Sequence, residues 1–488
     1  MSRKRRRNQR QKLSHRTRWT IGWILSEIQM VITLLFLVMV CRFAIFPVVY
    51  LFLIAGVLIC IWGIPRLLMG NGKVKVRYWA GAISSVLVSV ILLILVFFMY
   101  RVYGVAEAVT GSETETTVIN VYVLDEDPAQ TLRDAIDYDF GILETLGRED
   151  TDEAIEEIND LLNTEISMYE FENLSDIADA LYAGTTPAII LSEAYVDVIT
   201  ETDGYETFED DIRILTSYEW ETEIEQTDVD GDVFVVYISG IDASGSISTK
   251  SRSDVNILAV VNRDTHQIQL ISTPRDYYVE LSISNGVKDK LTHAGIYGIQ
   301  VSMDTLEMLY DIEVDYYFRI NFTGFVELID ALGGVTVTSE VAFSSGEYTF
   351  VVGENYMDGE AALAFVRERK SFSDGDRQRG RNQMALISGV IAGMQSMSFL
   401  RNFNSFLNGV ESSFETSVSY DLAAEMVRNQ IADGESWNVG TYSVDGTGST
   451  NTTYSMNQML YVMVPDETTV EHAKELIQNV VNGGEAGS

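Results

Sequence analysis

Cysteine is almost missing from this chain of 488 residues: there are two, Cys41 and Cys60, both in or beside long apolar runs. No disulfide framework or thiolate metal centre is therefore available to the rest of the chain, whose stability has to come from packed cores. Histidine is nearly as scarce, with four in all. His266 falls in a turn between two strand patterns and His293 at the start of a helical one, so neither suggests a Ser/His/Asp set, and no HExxH or Walker-type loop occurs. The most telling shortage is of basic residues after the first hundred. Residues 104–488 hold nineteen Lys/Arg against seventy Asp/Glu, whereas residues 1–103 hold fifteen against a single acid, Glu27. Such acidity excludes a general nucleic-acid binder.

What is there begins with nine positive charges between residues 3 and 18, followed by apolar runs over 21–40, 44–64 and 79–100. Each run is about 20 residues, the length an α-helix needs to cross a bilayer. Positive charge on the tail and on the loop with Arg66, Lys73, Lys75 and Arg77 places both in the cytoplasm, so three spans leave the remainder outside. The expected layout is a basic cytoplasmic tail (1–20) and three transmembrane helices (21–103). A cleaved signal peptide fits poorly. Glu27 and Gln29 dilute the first run, and a first segment lying in the membrane interface is the alternative.

Residues 104–228 read as a small α/β accessory domain. A strand pattern at 118–124 precedes helical patterns at 129–146 and 151–163, then SMYEF, ENLSDIADALYAG and AIILS. No cluster of catalytic residue types appears in it, which favours an accessory or interaction role. The acidic stretch 219–232 marks a boundary, and residues 229–488 form the second exported domain. Buried-strand runs at 233–242, 255–261 and 267–272 include a hairpin, followed by a helix over 293–310, a strand at 314–320, and a helix over 322–332 capped by Asn321 or Thr323 and stopped by Gly333 and Gly334. Further helices are expected at 399–409, 420–432 and 467–480, with strands at WNVGTYSV and QMLYVMV. The stretch GESWNVGTYSVDGTGST reads as a loop rather than a phosphate cradle. Interleaved strands and helices predict an α/β fold with a central mixed sheet flanked by helices, its site at the polar strand ends.

Twelve of the nineteen basic residues after position 103 fall in two stretches, 250–290 and 367–381. A helix starting near Asp376 puts Asp376, Arg379 and Gln383 on one face, continued by Leu386, Ile387, Val390 and Met394, so that face turns to a core. Arg377 and Arg381 lie on the other side and are expected to be solvated. Arg275 at a strand end, Arg367 and Arg369 after a helix, and Arg379 with Gln383 suit a diphosphate, because a guanidinium donates two parallel hydrogen bonds and stays charged when partly buried. Salt bridges to the abundant carboxylates are the competing explanation. Asp242 ends one buried strand and Asp254 begins the next, two residues after Arg252. Both are candidates for Mg²⁺, which takes one or two carboxylates, although either could equally cap a turn.

The run SRSD, VNILAVVN, ISTPRD, KLTHAG, FVELIDALGGV, MDGEAALAFVRERK and D-x-x-R-x-x-x-Q, across about residues 233–395, resembles the extracellular catalytic domain of the LytR-CpsA-Psr family of Gram-positive bacteria. The basic tail, three spans and accessory domain resemble its capsule-associated branch. The resemblance implies a membrane-anchored, Mg²⁺-dependent phosphotransferase that moves a capsular or teichoic-acid-like polymer from undecaprenyl pyrophosphate to peptidoglycan on the outer face. The implied pyrophosphate binders are Arg275, Arg367, Arg369, Arg379 and Gln383, with Arg252 as a charge partner, Asp376 as a helix-end organiser, and Asp242 and Asp254 as metal ligands. Asp276 and Asp376 are the candidates for a general base. Implied partners are the lipid-linked polysaccharide, peptidoglycan, the membrane and capsule-machinery proteins, with no nucleic acid. The alternatives are a polyprenyl-pyrophosphate phosphatase and a non-catalytic regulator of capsule synthesis. A DNA-binding regulator lacks the room, since the cytoplasmic part is a short tail and one loop.

Overall fold

The computed structural model describes residues 2–70, 74–112, 114–224, 231–241, 246–372, 376–394 and 414–487. Asp242 and the helix expected at 399–409 lie outside the described residues. The chain divides into two compact units, residues 1–110 with 419–435, and residues 111–418 with 436–488.

The first unit holds α1 (Ser2–Arg42), α2 (Val48–Met69) and α3 (Lys75–Val109). All three are long and apolar enough to cross a membrane. The polar residues that dilute the first span face its neighbours. Gln29, fully buried, donates from Nε2 to the Ile61 carbonyl at 3.0 Å and accepts from Ser85 Oγ at 2.7 Å, and Glu27 pairs with Arg66 at 3.2 Å. Polar groups satisfied between helices hold a membrane bundle together without facing lipid. A Cβ at Gly81 would lie 2.7 Å from the Pro65 carbonyl, so glycine there lets α2 and α3 close up. A helix over Tyr420–Asp433, capped by the Ser419 side chain, ties back to the α1–α2 connection through Tyr420 Oη and the Phe43 carbonyl at 2.9 Å.

The second unit opens with β1 (Thr114–Leu124), β2 (Asp139–Leu143), α4 (Arg148–Leu162), β3 (Ser167–Phe171), α5 (Leu174–Tyr182), β4 (Ala188–Ser192), α6 (Glu193–Thr200), α7 (Phe208–Asp211) and β5 (Ile212–Glu223), forming a sheet of order β3-β2-β4-β1-β5. The helix expected over 129–146 does not form. Its first half is turns, in which the Asp134 carboxylate accepts from the Gln130 and Thr131 N–H groups at 3.1 and 2.9 Å. Such side-chain bonds compete with helical ones, and the second half becomes β2. The acidic stretch beginning at 219 continues as strand β5, antiparallel to β1, before the chain leaves the sheet. α4 covers one face of this sheet, and α5 and α6 cover the other.

The larger sheet follows from β6 (Val233–Ile241), β7 (Val255–Asn262), β8 (Gln267–Thr273), β9 (Tyr278–Glu280) and β10 (Lys288–Lys290), a 3₁₀ turn over Leu291–Tyr297, α8 (Ile299–Tyr310), β11 (Tyr316–Asn321) and α9 (Phe322–Leu332). Asn321 caps α9 by accepting from Gly324 N, and Gly333 ends it at φ 80°. Short strands β12 (Val335–Ser339), β13 (Phe343–Ser345), β14 (Tyr348–Phe350) and β15 (Gly353–Met357) lead to α10 (Gly359–Arg367) and α11 (Asp376–Met394). Then come β16 (Phe414–Thr416), β17 (Asn438–Ser443), β18 (Gly446–Thr452), β19 (Met459–Pro465) and a last helix, Glu467–Val481. The order is β16-β11-β6-β7-β8-β17, with β6/β7 and β7/β8 antiparallel and β6/β11 and β8/β17 parallel. The strand expected at WNVGTYSV forms as β17, whereas the rest of the Gly/Ser/Thr-rich stretch, expected as a loop, is β18. Its threonines suit a pleated surface, and β18 pairs with β19 along its whole length.

Two-residue alternation gives this sheet two different faces. Val235, Tyr237, Leu258, Val260 and Ile271 pack into a core with α8 and the last helix. Val236, Ile238, Ala259 and Leu270 face the other way and, with residues of α9, α10 and α11, line an almost wholly apolar cavity of about 470 Å³. Against α10, the rings of Phe343, Phe350 and Phe365 cluster in tilted and edge-on contacts with centroids 4.8 to 5.3 Å apart.

Candidate functional site

The site lies where β6 ends, β7 begins and β8 ends. A strap over residues 251–254 crosses this point. It is tied on one side by Asp254 N donating to the Gly240 carbonyl at 2.8 Å and on the other by close approach to the 3₁₀ turn, where a Cβ at Gly295 would sit 2.4 Å from the Ser251 carbonyl. Ser253 is buried between Ser239 and Tyr237, at 2.8 and 3.0 Å. With both neighbours fixed, Arg252 and Asp254 have little freedom.

Arg275 leaves β8 and donates from Nη1 to Asp254 Oδ1 at 2.8 Å. Burial alone raises the Asp254 pKa, but the charges of Arg275, Arg252 and Arg379 outweigh it and leave the carboxyl below the ordinary range. Burial likewise opposes the Arg275 charge, and Asp254, Asp276 and Glu201 more than restore it. Arg379 is buried in the first turn of α11, whose neighbouring Gly380 lies so close to the ends of β8 and β17 that a Cβ would be 2.8 Å from Ser272 Oγ. Arg252, Asp254, Arg275 and Arg379 therefore converge from three places in the sequence.

Gln383, one turn after Arg379, lines the apolar cavity together with Gly240 and Val255. Polar site and cavity are thus adjacent. Arg367 ends α10 on the cavity side, its guanidinium 4.2 Å above the ring of Phe322, itself a cavity residue. Arg369 is exposed beyond that helix end. Asp376 begins α11 as expected. Arg377 and Arg381 differ from the expectation of solvated charges: both are partly buried. Arg377 binds Asp445 and the Gly446 carbonyl, each at 2.5 Å, and Arg381 reaches Gln378 Oε1 at 2.6 Å and Glu340 at 3.2 Å.

Two groups escaped the sequence reading. Asp197 and Glu201, at the end of α6 in the five-stranded module, reach Arg252, and Glu201 also lies 3.8 Å from Arg275. They sit some fifty residues upstream in a segment with no catalytic pattern, and no local signal marks them. Lys290 is the second group, 3.3 Å from Asp276. Asp276 is 5% exposed and engaged by Lys290 and Arg275, which makes it a counter-ion rather than a ready base. His293 is buried, with Asp289 Oδ1 at 2.7 Å and Ser455 Oγ at 2.9 Å. Both contact the same ring nitrogen, Nδ1, so no Ser–His–Asp relay exists there.

As to a metal, no group of three or more His, Cys, Asp or Glu side chains that could hold an ion occurs among the described residues. The partly buried Asp254, held below the ordinary carboxyl range by its arginines, nevertheless has the hard oxygen donor that Mg²⁺ prefers, and Mg²⁺ commonly completes its shell with water and substrate phosphate.

Fold and site together define a mixed α/β protein with three membrane-length helices and an arginine–carboxylate cluster beside an apolar cavity. The chain belongs to the LytR-CpsA-Psr family: the profile described as the LytR_cpsA_psr family matches residues 204–476. It is similar to the polyisoprenyl-teichoic acid–peptidoglycan teichoic acid transferase TagU of Halalkalibacterium halodurans, at 34% identity over 50% of this chain and 78% of that one. The TagU of Bacillus subtilis is 31% identical over 51% of this chain and 78% of its own length. A crystal structure of B. subtilis TagV matches with a TM-score of 0.44 at 26% identity, over 52% of this chain and 99% of that one.

Proposed function

We propose that this protein is a membrane-anchored phosphotransferase that moves a glycopolymer from a polyprenyl diphosphate carrier to peptidoglycan on the outer face of the cell membrane, with its tail in the cytoplasm. The observation that carries the reading is the adjacency of the arginine cluster to the apolar cavity: one end suits a diphosphate and the other the lipid attached to it. The names of the matched relatives support the same transfer and favour a teichoic-acid-type polymer. The charge asymmetry about the three spans supports the orientation.

In this reading Arg275, Arg379 and Arg367 hold the diphosphate, and Arg252 reinforces the field from the strap. An acceptor sugar hydroxyl attacks the phosphorus that carries the glycan. A new phosphodiester forms, the bond to the lipid-side phosphate breaks, and polyprenyl phosphate leaves. The arginines stabilise negative charge on both sides of that bond. Mg²⁺, held by Asp254 and the Asp242 expected from sequence, would supply further charge neutralisation at the diphosphate.

The test uses the full chain in detergent with a polyprenyl-diphosphate glycan, Mg²⁺ and peptidoglycan. Arg367→Ala, at an exposed helix end, should lower transfer by about 10²-fold or more with unchanged thermal unfolding. Unchanged transfer would sink the assignment. Phosphate release without glycan linkage would instead identify a phosphatase.

A further inference from the structure

Arg275 is oriented by Asp254, which accepts its hydrogen bond at 2.8 Å. Arg252 has no such partner on its own domain among the described ion pairs: Nη1 contacts Glu201 and Nη2 lies 3.5 Å from Asp197, both in the five-stranded module. Arg252 Nε and Arg275 Nε are buried without a hydrogen-bond partner among the described residues. Each guanidinium thus keeps a buried Nε donor that none of its carboxylate neighbours takes up in a hydrogen bond. A multi-oxygen anion would use those donors better than one carboxylate can. Glu201 is also the movable member of the group. It caps the C-terminus of α6, and its side chain is 40% exposed against 14% for Arg252 and 12% for Arg275.

We propose that Glu201, backed by Asp197, is a displaceable counter-ion that neutralises Arg252 and Arg275 until a diphosphate takes its place. This rests on the diphosphate reading of the site and adds a role for the five-stranded module. The module is anchored to the same strap, with Lys250 Nζ 3.3 Å from Asp150 and Lys250 N bonded to the Thr116 carbonyl at 3.0 Å. Release of Glu201 therefore frees the end of α6 while β1 and α4 stay tied to Lys250 beside the strap, and occupancy of the site is felt in the module. Burial raises the Asp197 pKa more than Arg252 lowers it, whereas for Glu201 the two arginines prevail over burial and keep the carboxylate charged.

The experiment measures binding of geranylgeranyl diphosphate to the full chain in detergent by titration calorimetry, together with hydrogen exchange of α6. Exposed ion pairs are worth up to about 1 kcal/mol, so Glu201→Gln should bind the probe about threefold to fivefold more tightly than wild type. Glu201→Asp, which keeps the charge, should stay near wild type. Asp197→Asn should shift affinity in the same direction by less, and stands in if Glu201→Gln does not fold. Amides at 199–202 should exchange faster when the probe is added to wild type. Wild-type binding with equal or weaker binding by both neutral variants overturns the counter-ion role and leaves the diphosphate reading standing. Absence of binding by wild type overturns both.

Discussion

Arg319 carries the largest fully buried side chain among the described residues, and its guanidinium lies between Glu115 of β1 and Glu415 of β16. Glu115 in turn accepts from Ile299 N at 3.0 Å. Removing one partner of a buried pair strands the others, so Arg319→Met should cost about 3–5 kcal/mol in unfolding experiments. Combining it with Glu115→Leu and Glu415→Leu should recover much of that loss, because apolar replacement of a whole buried cluster is often neutral. Asp254 makes a prediction of different form. Its folded pKa is below the unfolded value, so its stabilising contribution is present above the ordinary carboxylate pKa of about 4 and is lost as pH falls through the lower folded value. Thermal unfolding of wild type and Asp254→Asn should differ between pH 5 and 7 and converge in strong acid. A difference that stays constant from pH 7 down into strong acid would show that Asp254 adds nothing through its charge. At this scale the sequence singled out Arg252, Asp254, Arg275 and Arg379, which the fold brings together, and not their partners: residue type restricts what Arg252 can do, whereas its ion pairs depend on a module folded elsewhere.

Among the elements, the strap and the 3₁₀ turn do most to place the site, and Gly295 joins them. Gly295→Ala should push the strap outward, lowering probe affinity and stability together by about 1–3 kcal/mol of unfolding free energy. In the membrane-length bundle, Gln29→Leu leaves the Ile61 carbonyl and Ser85 without their shared partner. About 1 kcal/mol of bundle stability should be lost, read as weaker resistance to denaturing detergent. The elements also show what periodicity can reveal. The β7–β8 hairpin, α9 with its Asn321 cap, and the inward face of α11 were legible because each depends on residues within about ten positions of one another. The segment 129–146 misled because its apolar spacing suits a helix, while Asp134 and Thr131 spend their hydrogen bonds on local turns. Arg377 and Arg381 were placed correctly on the other side of α11, but that side meets Gln378, Glu340 and the β17–β18 turn rather than water alone.

The five-stranded module and the larger sheet share a core cluster in which Ile296 and Met456 meet residues of α5 and α6, and they belong to one compact unit. A chain lacking residues 111–224 should therefore lose soluble folding of its second unit, by exposing that cluster and leaving Arg319 without Glu115. Recovery of a cooperatively unfolding product would show the module to be separable. The sequence by itself determined the three apolar helices, the alternation that gives the large sheet its two faces, and the two arginine-rich stretches, because length, period and charge are local properties. Only the tertiary structure decided that these stretches meet beside an apolar cavity, that Arg319 is wholly buried, and that Glu201 reaches Arg252 and Arg275. Those outcomes depend on how separate elements dock, and docking is set by the sum of many contacts between residues that no local pattern links.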